Sequence, residues 1–192
     1  MKTKEFTPEH SFELINQVIN QAKNRFEENG FAFILWGALI AFWCLSQAYL
    51  LHIGLGKQSW YPYLIMPLAS IYTIYYYAKK EAYKHNPLKL VSSRLWLFTG
   101  VNIMLVAFGF SSALQDHLTP IILLLLGIAT AVAGSFIHSR MLLFSGIVLN
   151  LSAYAAFFVP WKQHPLLMGM VSLVAFLLPG LLLHYKHKRQ HV

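Results

Sequence analysis

Nine histidines and a single cysteine are the residues of this 192-residue chain best suited to hold a metal ion or a reactive centre. His52, His117 and His164 each lie beside the end of a long apolar run, and their three loops could converge on a metal ion. A locally built site would place two ligands three or four residues apart on one helix, and none of the three has such a partner. His184, His187 and His191 do recur at helical spacing, but among Lys186, Lys188 and Arg189 they read as a solvated basic tail. Cys44 has neither a cationic neighbour nor a helix start to lower its thiol pKa, and a lone cysteine forms no internal disulfide. Ser135 and Ser145 lack a Gly-x-Ser-x-Gly setting and a base at matching depth. No glycine-rich phosphate loop is present. The sequence therefore predicts no catalytic residue, no metal ligand and no cofactor, and so a protein that is not an enzyme.

The acidic residues narrow the chemistry further. There are seven: Glu5, Glu9, Glu13, Glu27, Glu28, Glu81 and Asp116. None falls within an apolar run. Proton-coupled pumps and transporters keep ionisable groups inside the membrane despite the desolvation cost. Intramembrane metalloproteases and two-carboxylate phosphotransferases need carboxylates or metal ligands at depth as well. The sequence supplies neither.

The elements that would position these residues are apolar helices. Hydrophobic residues make up 57% of the chain and Asp, Glu, Lys and Arg only 11%, about half the charged fraction of a soluble domain. Six runs carry no charge: 31–53, 61–78, 95–114, 118–137, 141–161 and 165–185. Each is close to the ~20 residues that a helix needs to cross a hydrocarbon layer. The expected fold is an all-α integral membrane protein with six transmembrane helices over 31–185, embedded in the lipid bilayer and arranged as three tandem hairpins. A cytoplasmic amphipathic helix over 1–30 precedes it and a basic tail over 186–192 follows. Of 15 Lys and Arg residues, only Lys57 and Lys162 fall on the outer side; the other 13 are inside. This positive-inside bias places both termini in the cytoplasm. It also accounts for the net charge of +8 without a nucleic-acid partner.

In the N-terminal segment, Phe12, Ile15, Ile19, Ala22 and Phe26 follow a helical apolar spacing opposite a polar face. Helices that lie on lipid usually carry a basic polar face. This one has Glu9, Glu13, Glu27 and Glu28 against Lys23 and Arg25. Its partner is therefore expected to be protein: the basic loop over 79–94, a second copy in a homo-oligomer, or another membrane or cytoplasmic protein. Within the spans the deep polar residues are Asn102, Asn150 and Gln47. Asn102 and Asn150 lie about 12 and 14 Å from the cytoplasmic ends of their spans at 1.5 Å per residue. Both are expected to face the bundle, as glue between helices or as the lining of a cavity. Pro67 and Pro179-Gly180 are expected to kink spans two and six. A weak repeat places X-Pro steps at Tyr61-Pro62, Thr119-Pro120 and His164-Pro165, and glycines at Gly37, Gly100 and Gly146.

The acidic helix leading into Phe33-Ile34-Leu35-Trp36-Gly37, together with Leu177-Leu178-Pro179-Gly180 before a basic tail, resembles a family of small six-span bacterial inner-membrane proteins. The resemblance implies that topology and the bacterial inner membrane, and it assigns no activity to any residue. The function expected is that of a non-catalytic regulatory, scaffold or accessory subunit acting through its cytoplasmic helix and loops. The alternative is a small transporter or sensor of a neutral or lipophilic ligand with a cavity near Asn102 and Asn150. Topology is checked by labelling intact cells with an impermeant maleimide. Lys57→Cys and Lys162→Cys should react from outside, and Lys89→Cys only after lysis.

Overall fold

The computed structural model describes residues 30–59, 61, 65–80, 87–136 and 139–190. Those residues form helices and short turns, with no strand among them. Helix α1 is Gly30–His52, α2 is Met66–Lys80, and α3 is Pro87–Met104 continued by a π turn at Leu105–Gly109. Helix α4 is Leu118–Phe136 and α5 is Arg140–Ala156. Helix α6 runs as His164–Ser172, a π turn at Leu173–Leu177, and Leu178–Gln190. The amphipathic segment with Phe12, Ile15, Ile19, Ala22 and Phe26 lies outside the described residues, as do Pro62, His138 and His191.

Among the described residues, four stretches are long and apolar enough to cross a membrane: Gly30–His52, Val91–Gly109, Ser111–Phe136 and Trp161–Tyr185. Helix α5 is apolar but has 17 residues, and α2 has 15. Charge and helix boundaries do not coincide, because a charge marks where the chain meets water and backbone hydrogen bonding marks where the helix stops. Thus α3 starts at Pro87, ahead of Arg94, and α6 continues to Gln190 through what the sequence suggests is a tail. Conversely, α5 ends at Ala156 although no charge appears before Lys162. The outer surface carries exposed Phe42, Ile74, Leu97, Phe144, Leu151 and Phe158. So much exposed apolar area suits lipid and not water.

Two prolines behave differently from expectation. Pro67 is the second residue of α2, so it opens that helix and does not kink it. Helix starts tolerate proline because its missing N–H would have had no partner there. Pro179 does disturb α6, as a widened turn: just before it the N–H of Leu178 reaches back five residues to the carbonyl of Leu173. A proline cannot complete the ordinary four-residue ladder, and the π turn spreads that defect.

The packing is not that of three tandem hairpins. Helix α1 pairs antiparallel with α6, and α4 pairs antiparallel with α5. Glycine positions explain the choice. A methyl group on Gly37 would lie 2.6 Å from the amide nitrogen of Leu177, and one on Gly180 would lie 2.8 Å from that of Ile34. In the second pair, methyls on Gly146 and Gly134 would lie 2.6 Å from the nitrogens of Ala131 and Leu143. Backbones approach this closely only where a side chain is missing, and in lipid such contact replaces the hydrophobic drive. Phe33, Leu123, Leu142, Leu149, Ala175 and Phe176 join the two pairs in one buried cluster. Helix α3 leans on α4, with Trp96 edge-on to Phe33. Helix α2 touches α1 through Ala69, beside Ile40, Trp43 and Cys44.

Overpacking the first seam should cost about 1–3 kcal/mol. Gly37→Ala is expected to lower resistance to denaturant in micelles by that amount. Gly100→Ala, with no atom within 4 Å of the new methyl, should be neutral or stabilising. Unfolding curves for the two variants check this.

Candidate functional site

Polar side chains within the helices are mostly tied to their own backbone. The hydroxyl of Thr130 donates to the Leu126 carbonyl at 2.7 Å, Ser145 to Met141 at 3.0 Å and Ser152 to Val148 at 2.8 Å. Thr73 and Thr99 do the same at 2.8 Å. This return to the carbonyl four residues back lets a hydroxyl sit in an apolar helix without a partner elsewhere. Ser172 alone of these hydroxyls reaches another helix, donating to Gly169 at 2.8 Å and lying 3.5 Å from the Gly37 carbonyl. It adds a polar contact to the α1–α6 seam.

The two asparagines separate. Asn150 is half-buried, its Nδ2 donates to the Gly146 carbonyl at 2.8 Å, and its amide lies flat against Gly127 in the α4–α5 seam. Asn102 is exposed on α3, and its Nδ2 donates to the Phe98 carbonyl at 2.8 Å. The expectation that both turn into the bundle is corrected for Asn102: Leu95, Trp96, Thr99 and Ile103 of α3 are half-buried, whereas Asn102 is exposed. Gln47 is half-buried on α1, one turn beyond Trp43 and Cys44.

His164 has a role that the sequence did not reveal. Its ring is buried, and Nε2 lies 3.0 Å from the Ala156 carbonyl and 2.8 Å from that of Val159. Both partners can only accept, so Nε2 carries the proton and donates to them. These carbonyls lie at the end of α5, where the helix runs out of N–H donors. The imidazole thus closes the C-terminus of α5 from the first turn of α6. His117 approaches the same turn, with its ring centroid 5.7 Å from Phe157, and is exposed. His52 is exposed at the end of α1. Among the described residues no three His, Cys, Asp or Glu side chains gather as a metal-holding group.

No protein-family model, no curated protein sequence and no solved structure matches the chain. The geometry ties together the Phe33-Ile34-Leu35-Trp36-Gly37 and Leu177-Leu178-Pro179-Gly180 motifs. Gly37 of the first sits against Leu177 of the second, Gly180 sits against Ile34, and Phe33 stacks on Phe176 at 6.2 Å. They are two halves of one seam.

Trp43 is the other residue whose role needed the structure. It is wholly buried, edge-on to Trp36 at 6.4 Å, and packed near Met66 and Met168. Its indole N–H has no acceptor.

Removing the histidine cap takes the donor from the Val159 carbonyl, while Ala156 keeps the Val159 N–H, and an unsatisfied carbonyl costs about 1–3 kcal/mol. His164→Ala should lower unfolding stability in micelles by that amount, and His164→Gln by less, because an amide N–H can still donate. Equal losses in the two variants would show that the hydrogen bonds are not what stabilises this corner.

Proposed function

We propose that this chain is a six-span bacterial inner-membrane protein with both termini in the cytoplasm, acting as a non-catalytic regulatory, scaffold or accessory subunit. The observation that carries the reading is the placement of polar groups. Hydroxyls inside the helices are spent on their own backbones, the Asn150 amide fills a helix seam, and the buried His164 caps a helix end. The membrane part of the molecule is built for packing. Its means of acting on other molecules then lie outside the spans, in the acidic amphipathic segment over 1–30 and the basic loop over 79–94.

The charge sorting supports the orientation, because 13 of the 15 basic residues share one side. The shorter α2 and α5 fit within a six-span bundle because they cross beside longer neighbours, and local thinning and tilt absorb a few ångströms of mismatch. Complementary charge supports the docking: Glu9, Glu13, Glu27 and Glu28 against Lys79, Lys80, Lys84, Lys89 and Arg94. In this arrangement the apolar stripe Phe12, Ile15, Ile19, Ala22 and Phe26 meets protein.

Chemical cross-linking in native membranes tests the role of the segment. Removing residues 2–28 should abolish the cross-linked species formed by the full chain on the cytoplasmic side, while the truncated chain still inserts. An unchanged cross-linking pattern would remove the segment from the interaction.

A further inference from the structure

Helix α3 is the membrane-length stretch whose residues are least enclosed. Across Val91–Gly109 no residue is buried, whereas the other three stretches each bury a substantial share. Yet it carries Asn102, about 12 Å along the axis beyond Arg94 at 1.5 Å per residue, and so near the middle of a bilayer. An amide facing hydrocarbon is costly. Its Nδ2 is bonded to the Phe98 carbonyl, and among the described residues no donor reaches its Oδ1. Every other deep amide or hydroxyl described above is half-buried or buried.

We propose that a second copy of this chain docks here, α3 against α3, with the two Asn102 amides hydrogen-bonded to each other across a two-fold axis normal to the membrane. The occupant follows from the chemistry of the group and from the topology. Two copies inserted the same way run their α3 helices parallel and hold Asn102 at the same depth. An amide offers both an N–H and a carbonyl, so it is its own complement. The surroundings fit a helix seam. Val91, Phe98, Asn102 and Leu105 recur at steps of seven, four and three, the spacing of left-handed helix pairs, in which one asparagine fixes register. All four are exposed, and Gly109 four residues on has open space beside it.

A comparison within the molecule points the same way. The tetrapeptide Leu-Val-Ala-Phe forms a π turn twice, at 105–108 in α3 and at 173–176 in α6. In α6 its alanine and phenylalanine are buried against a neighbouring helix. In α3 the equivalent Phe108 is 82% exposed. The inference rests on the membrane-spanning reading above and names the partner as a second copy.

The test uses the full-length chain in native membranes and in dilutable micelles. Under mild oxidation Phe98→Cys and Leu105→Cys should each form disulfide-linked dimers. Phe144→Cys, exposed on α5, should not, and the unsubstituted chain, whose Cys44 is buried, should not either. Asn102→Leu should weaken the dimer roughly threefold to thirtyfold, the range found for hydrogen bonds between membrane helices. Asn102→Gln, which keeps the amide, should restore most of the affinity. Equal cross-linking at Phe144→Cys, or an unchanged dissociation constant for an Asn102→Leu protein of normal helicity, overturns the proposal. So does a purified chain that is monomeric at every concentration, which would leave lipid or another protein on this face. Removing residues 2–28 separates this from the docking segment. A truncated chain that still dimerises through α3 rejects that segment as the dimer contact. A chain whose association depends on the segment but is indifferent to Asn102→Leu rejects the α3 seam.

Discussion

The close approach of α1 and α6 sets the rest of the arrangement. Gly37 and Gly180 let the two backbones pass within the space a single methyl would occupy, one turn apart on one antiparallel seam. Inside a bilayer apolar side chains gain little by leaving lipid for protein, so helices associate where close van der Waals contact and hydrogen bonds are available. Once this pair is joined, Phe33 meets Phe176, Ser172 reaches the Gly37 carbonyl, and Cys44 is sealed beside Gly169. The first and last described helices are thereby joined, and α4 pairs with α5 through a second glycine seam.

A shared economy governs the polar groups. A hydroxyl that bonds to the carbonyl four residues back demands nothing of its neighbours, so serines and threonines are scattered through the helices at little cost. Larger polar groups cannot be so self-contained, and each stands at a structural junction. Asn150 lies in the α4–α5 seam, and His164 holds the corner between α5 and α6. Asn102 makes one hydrogen bond, to its own helix, and is exposed on α3. Trp43 breaks the pattern in another way, because it brings an N–H into the core for which the core has no acceptor.

Much of the outline was legible from composition. Charge-free runs located apolar helices because a charge in hydrocarbon is costly wherever the helix lies, and that rule needs no knowledge of neighbours. Their ends were less legible. Arg94 is preceded by helix and Ala156 is followed by a turn, since the backbone answers to hydrogen bonding and not to charge. The Leu-Trp-Gly and Leu-Leu-Pro-Gly motifs were visible as sequence, but not as two sides of one contact, because 135 residues separate Gly37 from its hydroxyl partner Ser172. The prediction that Pro67 is a kink failed because it assumed that a helix begins where apolar residues begin.

What the sequence by itself determined is the apolar helical character and the absence of carboxylates from the charge-free runs. Each depends on the transfer of a single residue between water and lipid, which is a local quantity. What only the tertiary structure decided is which helices pair, that His164 caps a helix, and that Asn150 turns inward while Asn102 does not. Those depend on which backbones can come close enough to touch, a property of two surfaces together that neither helix carries alone.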